Sequence, residues 1–523
     1  MLSPTEPIMV AEPGTKPFSS ILFMHPPAAP VRPGQDSFLA DLQLNQIIQN
    51  VTAGREPYDL TPLFLSPLTS VEEIAYRHQV ISDLEDGALR AMIDSWARSL
   101  QNMRSHLAQA AALRYLYQRE AVFVVAAECY CAAVEALRRE LDDADPASPG
   151  LLALRDHLRR YADSDAFHTL GTDARGVLTG LSELRYCLRI RGSRVTVSRY
   201  SGQADHAAQV QETFQRFQQH ALGGYEDKGR TIIEMDHVEA MVLDRVAKLF
   251  PDVFAALDRF FQDHQAFADE VMLRFDREIQ FYLAYLDHTA PLADAGLHFC
   301  LPTVSASKDL RVEDTFDLAL AHVLAAKHRP VVCNDFSLRA PERIFVVSGP
   351  NQGGKTTFAR TVGQLHYLAS LGLPVPGTRA ELFLPDKIFT HFERGENTAD
   401  LRGKLMDDLV RIHAVLHQAT PESLVILNEI FTSTTLADAI DLGGKILGTL
   451  TDMGPVCVCV TFVDELASLN RATVSMVSTV DEKDPVKRTF KVIRKPADGL
   501  AYAMVLARKY RLTHDQLKER IIP

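Results

Sequence analysis

A glycine-rich loop at residues 349–356, Gly-Pro-Asn-Gln-Gly-Gly-Lys-Thr, limits the possible folds of this chain more than any other stretch. It fits the pattern G-x-x-x-x-G-K-[ST] without a mismatch. The apolar run at residues 343–348 predicts a buried strand before the loop, and Thr357 begins a stretch that predicts a helix. In this context backbone N–H groups and the helix N-terminus can hold a polyphosphate. The plainer alternative is a glycine-rich turn with a surface lysine, which the agreement of pattern and context disfavours.

Individual loop residues have expected roles in phosphate binding. Lys355 is expected to reach the β- and γ-phosphates of a nucleotide, and Thr356 to hold Mg²⁺. The predicted nucleotide-binding residues are Gly349, Pro350, Asn351, Gln352, Gly353, Gly354, Lys355, Thr356 and Thr357. The use that is made of the nucleotide has to be inferred from the rest of the chain.

Composition narrows the class of protein. A chain of 523 residues exceeds one ordinary core, so two or three domains are expected. There is no run of 18 uncharged apolar residues and no basic, apolar N-terminus, which predicts a cytoplasmic protein without a membrane contact. The seven cysteines form no C-x-x-C pair and are interpreted as buried reduced thiols. A net charge of −12 argues against nucleic acid over the whole surface but leaves room for a local basic site.

Periodicity predicts three regions of different character. Residues 1–35 are rich in proline and predict an extended or loosely docked arm. Residues 36–295 predict a helical domain, with a long helical pattern at residues 90–142 and a break at Pro251. Residues 296–523 alternate strands and helices, which predicts a three-layer α/β nucleotide-binding domain ending in a short amphipathic helix. The predicted fold class is therefore multidomain, a helical domain followed by an α/β P-loop ATPase domain.

One stretch inside the helical region predicts a β-hairpin. Apolar and basic residues alternate over residues 184–199, and Gly192-Ser193 predicts the turn. The five arginines of this segment, with no acid among them, are candidate phosphate contacts for nucleic acid: Arg185, Arg189, Arg191, Arg194 and Arg199. A solvated hairpin face with ordinary charge explains the same pattern equally well.

Several motifs in the C-terminal half resemble the ATPase domain of the MutS family of DNA mismatch repair proteins, which belongs to the ABC-type ATPases. The loop with its Pro-Asn pair, residues 349–357, resembles the MutS loop, and residues 386–390 resemble a strand of that family. Residues 424–430 resemble its second acidic motif, and residues 497–503 the end of its sheet. The resemblance covers about residues 300 to 523. A weaker resemblance, to the helical core and lever domain of the family, extends back to about residue 36 and implies such a domain at residues 36–295. It implies ATP and Mg²⁺ as cofactors, a homodimer with composite sites, and DNA as a partner.

The sequence departs from the family pattern at three places. The usual Asp-Glu of the second motif is Asn428-Glu429, so Asn428 can only hold Mg²⁺ through water, whereas Glu429 is expected to be the general base. Phe462 stands where the family has a histidine that senses the γ-phosphate. The signature segment that reaches the nucleotide of the opposite subunit corresponds to Arg402, Gly403 and Lys404, without the usual Ser-Thr. ATP binding is therefore expected with more certainty than fast hydrolysis.

These features leave three interpretations of function. The first is an ATP-dependent, dimeric DNA-binding protein that closes around duplex or branched DNA in repair or recombination. Residues 1–35 hold no Phe-x-Glu wedge and are too short for the mismatch-reading domain of the family, so direct mismatch reading is not expected. The second interpretation is a nucleotide-gated scaffold or sensor that acts on proteins or ribosomes. The third is a degenerate ATPase that binds nucleotide as a structural element.

Overall fold

The computed structural model describes residues 18–25, 37–192, 194–202, 235–393, 404–481, 487–497 and 512–518. The chain divides into two compact units, one of Met1–Phe18 and Asp83–Asp276, the other of Ser19–Ser82 and Arg277–Pro523. The N-terminal helices before residue 83 thus share a unit with the phosphate-binding loop, a grouping that the sequence analysis does not anticipate. Within the described ranges, every helix is too short or too polar to cross a bilayer.

Helices and strands are numbered along the chain. The α-helices of the described residues are α1 (Ser37–Asp41), α2 (Leu44–Thr52), α3 (Thr61–Phe64), α4 (Val71–Leu84), α5 (Gly87–Ala112), α6 (Leu116–Ala144), α7 (Pro149–Ala162), α8 (Asp165–Ser182), α9 (His237–Leu249), α10 (Pro251–Asp263), α11 (Glu270–Asp294), α12 (Leu318–Ala326), α13 (Lys355–Ser370), α14 (Lys404–Gln418), α15 (Leu436–Met453) and α16 (His514–Lys518). The β-strands are β1 (Tyr186–Arg191), β2 (Arg194–Arg199), β3 (Phe299–Cys300), β4 (Thr303–Ser305), β5 (Leu310–Thr315), β6 (Asn334–Leu338), β7 (Ile344–Ser348), β8 (Val375–Pro376), β9 (Arg379–Phe383), β10 (Ile388–Phe392), β11 (Leu424–Asn428), β12 (Val456–Val460), β13 (Thr473–Val480) and β14 (Arg488–Arg494).

The first unit is built from long helices, of which α5 and α6 pack against each other. Asp86 begins α5 as an N-cap, since its side chain accepts hydrogen bonds from two backbone N–H groups of the first turn. The single long helix predicted for residues 90–142 is wrong, because the chain turns back between α5 and α6 at residues 113–115. The turn contains neither glycine nor proline, so the residues that usually end helices gave no signal there.

Pro251 ends the next helical stretch as predicted. It occupies the first position of α10, where its missing N–H leaves no helical hydrogen bond unmade. The helices before and after it are α9 and α10, and α11 follows after a short connection. The helical pattern also predicts a helix at about residues 205–221, and these residues lie outside the described part of the chain.

The predicted hairpin is present as two antiparallel strands, β1 and β2, with Arg191 opposite Arg194 next to the turn. Successive side chains of a strand alternate between its faces. One face therefore carries Tyr186, Leu188 and Val195, and the opposite face carries Arg189, Arg191 and Arg194. Tyr186, Leu188 and Val195 are all exposed. The hairpin is thus amphipathic, with a basic face and an exposed apolar face.

A six-stranded sheet forms the centre of the second unit, in the order β10-β11-β12-β7-β13-β14. Its strands are parallel except for β14, which pairs antiparallel with β13. The strands β7, β11 and β12 are fully buried, in keeping with their unbroken apolar sequences. The carboxyl ends of parallel strands meet at one edge of a sheet, and ligands bind there in α/β folds. That edge carries the phosphate-binding loop after β7 and Asn428 at the end of β11.

The second unit also holds part of the segment that was predicted to be an extended arm. Ile21 and Leu22 are completely buried. The carboxylate of Glu278 accepts hydrogen bonds from Ser20 Oγ and from the backbone N–H of Ile21, each at 2.8 Å. Arg77, also buried, donates to the backbone carbonyl of Leu22 at 2.9 Å. Residues 20–22 are therefore a packed part of this unit, whereas residues 1–17 and 26–35 lie outside the described residues.

Candidate nucleotide-binding site

The loop after β7 has the backbone conformation of a phosphate cradle. Gly349, Gln352 and Gly354 have positive φ angles of 115°, 59° and 97°. Gly354 immediately precedes the first residue of α13, so the N–H groups of the first helical turn open towards the loop. The strand, loop and helix predicted from the sequence are therefore all present in the predicted order.

Two of the loop glycines are required by a close neighbour on β13. A Cβ atom on Gly353 would lie 2.2 Å from Ser478 Oγ, and one on Gly349 would lie 2.8 Å from the Ser478 carbonyl oxygen. Ser478 in turn donates a hydrogen bond of 2.6 Å to the carbonyl of Gly353. The loop is thus held on the sheet by a serine from another strand, and glycine is needed where the two backbones approach.

Lys355 occupies the centre of this loop and is only 4% exposed. Its Nζ donates to the backbone carbonyl of Gly349 at 2.9 Å and to Asn351 Oδ1 at 3.2 Å. Burial lowers the pKa of Lys355, and the charge of Glu429, whose Oε1 lies 3.9 Å from Nζ, opposes this shift. The lysine therefore sits as a cation among neutral oxygens of the loop, and the carboxylates of Glu429 and Asp464 both act on its charge.

The end of β11 brings the second predicted motif to the same place. Asn428 is buried, and its Oδ1 has no hydrogen-bond partner among the described residues. Glu429 follows with a φ of +55°, and its backbone N–H donates to the Val460 carbonyl at 2.9 Å. A residue held in this strained region is a common feature of functional sites. The geometry places the carboxylate of Glu429 at the rim of the loop, next to Lys355.

The oxygen atoms at this edge suit a magnesium ion that is bound together with nucleotide phosphates. Mg²⁺ prefers hard oxygen ligands and keeps several of its waters. Thr356 is the second residue of α13 and carries its hydroxyl next to the loop. The buried Oδ1 of Asn428 lacks a partner among the described residues, as expected of an oxygen that accepts from a metal-bound water. Thr356 and Asn428 therefore fit the ion, although neither contributes a negative charge.

Two further side chains face the loop that sequence analysis did not select. A cavity of about 240 Å³ above the loop is lined by the loop itself and by Leu320, Glu429 and Phe490. Phe490 is 47% exposed and has a φ of +60° within an irregular part of β14. A Cβ atom on Gly354 would lie within 4 Å of the Phe490 backbone. These apolar residues lie beside the loop in the fold. They were missed because they are distant from the loop in sequence.

The remaining predicted nucleotide contacts are only partly described. Arg402 and Gly403 lie outside the described residues. Lys404 begins α14, and its Nζ forms an ion pair with Glu393. Phe462 follows β12 and is 46% exposed. Lys404 thus has a partner in its own chain, and an apolar ring stands where the resemblance places the histidine of the family.

The hairpin arginines separate into two kinds. The Arg199 guanidinium donates twice to the Leu249 carbonyl, at 3.1 and 2.5 Å, and lies 5.1 Å from the centre of the Phe250 ring. It therefore caps the C-terminus of α9 and has a structural role. The other four candidates are exposed, and their guanidinium groups have no ion pair or side-chain hydrogen bond within the described part of the chain: Arg185, Arg189, Arg191 and Arg194.

Known proteins resemble the C-terminal part of this chain. Residues 345–512 match the family described as MutS domain V. The chain is similar to the DNA mismatch repair protein MutS of Granulibacter bethesdensis, with 30% identity over 188 residues, which cover 36% of this chain and 20% of that protein. It is also similar to the DNA mismatch repair protein MutS of Orientia tsutsugamushi strain Boryong, with 27% identity over 220 residues, or 41% of this chain and 24% of that protein. The chain thus matches about a fifth to a quarter of the length of these relatives.

Proposed function

The chain contains a MutS-family ATPase domain, and on this premise we propose that it binds and hydrolyses ATP with Mg²⁺ to control its hold on DNA. The observation that carries the proposal is the position of Lys355 at the loop. Its Nζ lies 3.9 Å from Oε1 of the Glu429 carboxylate. A buried lysine inside a cradle of N–H groups suits a triphosphate, and a carboxylate at its rim suits the activation of water. Mg²⁺, when bound, would neutralise phosphate charge next to Thr356 and Asn428.

Each residue of the site has a part in the proposed hydrolysis. The N–H groups of the loop and of the first turn of α13 bind the phosphate oxygens, and the Lys355 ammonium stabilises charge on the γ-phosphate. Glu429 takes a proton from the water that attacks the γ-phosphate. Asn428 orients water through its amide without adding a charge, so we expect slower hydrolysis than with a carboxylate there. Phe490 and Leu320 provide an apolar contact for the adenine ring of ATP.

We infer a homodimer that acts on duplex or branched DNA. The support for DNA comes from the basic face of the hairpin, where three exposed arginines project together: Arg189, Arg191 and Arg194. Phosphate contacts from such side chains supply affinity without sequence preference. The support for a dimer is that ABC-type sites are completed by a signature segment of a second subunit, here Arg402, Gly403 and Lys404.

A nucleotide-gated scaffold that acts on proteins or ribosomes is the second candidate function. Phe462 favours it, because an exposed apolar ring cannot sense a γ-phosphate by hydrogen bonding and suits a protein surface. ATP hydrolysis measured with duplex DNA, with branched DNA, with ribosomes and without a partner separates the candidates. Stimulation by DNA supports the first function, and stimulation by ribosomes alone supports the second.

The Lys355→Ala variant tests the nucleotide site directly. We expect loss of tight ATP binding with the fold retained, because the hydrogen bonds of Lys355 Nζ are to oxygens of the loop. The measurement is binding of a fluorescent ATP analogue, with circular dichroism as the check on folding. Lys445→Ala is the control, since Lys445 is exposed on α15 and pairs with Asp441. ATP affinity that is equal in parent and Lys355→Ala would refute the assignment of the loop.

A further inference from the structure

A second cation lies next to the phosphate-binding loop, on a strand far from the loop in sequence. The Arg488 Nε donates a hydrogen bond of 3.3 Å to the backbone carbonyl of Asn351. The side chain of Asn351 also accepts a hydrogen bond: Lys355 Nζ donates to its Oδ1 at 3.2 Å. Asn351, the third residue of the loop, is therefore held between two cationic groups.

The electrostatics agree with this proximity. Burial is the main cause of the lowered pKa of Lys355; the charges of Glu429 and Asp464 oppose it, and repulsion from Arg488 adds a smaller contribution in the same direction as burial. Two cations that repel each other across a loop residue are stabilised when an anion binds between them. A guanidinium remains charged at every physiological pH and offers a planar pair of donors that matches phosphate oxygens.

The topology of the sheet explains how Arg488 reaches the loop. It begins β14, which pairs with β13, and β13 in turn pairs with β7, the strand that leads into the loop. The β13–β14 pairing is irregular between Ser478 and Val480, where extra residues on β14 bulge from the ladder. A bulge re-aims side chains near its position. The same irregular stretch carries Phe490 to the rim of the loop.

Apart from Lys355 and Arg488, the side chains considered for this site offer little positive charge and few hydrogen-bond donors to the γ-phosphate. Asn428 adds no charge, Phe462 offers no polar atom, and Lys404 is paired with Glu393. We propose that Arg488 is a further catalytic residue, an arginine supplied by the same chain that contacts the terminal phosphate of ATP and stabilises its charge during hydrolysis. This inference rests on the proposed ATPase function and adds to it a residue that the family motifs of this chain do not include.

The test compares Arg488→Ala and Arg488→Lys with the parent in the full-length chain. The ligands are ADP and the non-hydrolysable analogue AMP-PNP, which differ by the terminal phosphate, and the rate is measured in a single turnover of ATP. In Arg488→Ala we expect AMP-PNP affinity to fall by about tenfold or more while ADP affinity stays near the parental value. We expect hydrolysis to fall by at least about a hundredfold, as for other positioned cations in phosphoryl transfer. Arg488→Lys should retain part of the AMP-PNP affinity and part of the hydrolysis rate, since lysine keeps the positive charge but lacks the planar pair of donors.

Lys487→Ala is the matched control, because Lys487 is the neighbouring cation, is highly exposed and lies near Asp481. It should leave both affinities and the rate unchanged. Equal losses of ADP and AMP-PNP affinity in Arg488→Ala would overturn the proposal, because they would show that Arg488 only positions the loop. Unchanged AMP-PNP affinity and rate would overturn it as well, and so would an equal effect of Lys487→Ala. If the parent protein binds no more ATP than Lys355→Ala does, the proposed function itself is refuted. If the parent and Arg488→Ala bind and hydrolyse ATP equally well, only the role of Arg488 is refuted.

Discussion

At the candidate site, the backbone defines the orientation of a single residue, Glu429. Glu429 is held with a positive φ, and its backbone N–H is bound to the carbonyl of Val460. Its side chain is therefore directed by the backbone of the turn after β11, not by packing of the side chain itself. A substitution that keeps the side-chain shape should leave this backbone arrangement intact.

Glu429→Gln is expected to bind ATP normally and to hydrolyse it slowly. The amide keeps an oxygen and the shape of the side chain, but it cannot accept the proton of the attacking water. Loss of a positioned general base costs about 10²- to 10⁴-fold in rate. Single-turnover hydrolysis measures this loss, and partner dissociation in ATP should slow in parallel.

Glu422→Gln is the matched control for Glu429. Glu422 lies before β11, at the opposite end of that strand, and forms an ion pair with Lys308 at 3.8 Å. Its substitution should leave hydrolysis at the parental rate. A Glu429→Gln variant that hydrolyses ATP as fast as the parent would show that another group is the base.

The hairpin illustrates how an element can carry two different kinds of arginine. Arg199 binds the end of α9 and an aromatic ring, whereas Arg189, Arg191 and Arg194 project from the opposite face. Removal of Arg199 should therefore loosen the contact between the hairpin and α9. Removal of the other three should change only what the exposed face can bind.

Replacement of Arg189, Arg191 and Arg194 by alanine should weaken DNA binding and flatten its salt dependence. Each lost phosphate contact should reduce the slope of log K against log salt by roughly one unit. The measurement is a salt titration of duplex binding by fluorescence anisotropy. The control is the triple alanine variant of three arginines in the same unit that are already paired with aspartates: Arg138, Arg155 and Arg159. If the hairpin variant keeps the slope and the affinity of the parent, the hairpin is only a solvated surface that does not contact DNA.

The whole molecule is expected to form a dimer that depends on nucleotide. Several apolar side chains of the second unit are exposed: Met406, Val410, Leu436 and Phe462. A second subunit that completes the site would cover such side chains and gain from their burial. Mass in solution, measured by light scattering with and without AMP-PNP, should rise towards twice 58.2 kDa with the analogue. A monomer in every condition, including with DNA, would contradict the dimer.

Stability of the whole molecule should fall between neutral and mildly acidic pH. Burial lowers the pKa of His78, His288 and His366 from 6.5 to about 4 each. Between these values the unfolded chain binds protons that the folded chain does not, so the folded state loses stability as pH falls from about 6.5 towards 4. The stabilisation is fully present above the unfolded pKa, and each imidazole contributes up to about 3 kcal/mol.

Urea unfolding at a series of pH values from 7.5 to about 4.5 measures this effect, at a temperature where unfolding is reversible. His366→Leu removes one of the three imidazoles and should reduce the pH dependence. His413→Leu is the control, because His413 is exposed on α14. A free energy of unfolding that is constant from pH 7 to 5 would contradict the prediction.

Local sequence determined the parts of this protein in which the backbone itself is the functional group. The glycines of the loop, the apolar strand before it and the helix after it are contiguous, so one stretch of sequence specified their conformation. The same holds for β11 and its Asn428-Glu429 end, and for the amphipathic hairpin, whose period-two pattern was visible in the sequence. Pro251 likewise ended a helix by a property of its own ring.

Tertiary structure decided which distant residues share the site. Ser478, Arg488 and Phe490 reach the loop because β13 lies beside β7 and β14 lies beside β13, an order that no local pattern expresses. Arg199 could not be told from its neighbours by sequence, because its role depends on the position of the α9 C-terminus. The physical reason is common to all four. Their contacts join segments that are far apart along the chain, and only packing of the sheet and helices brings these segments together.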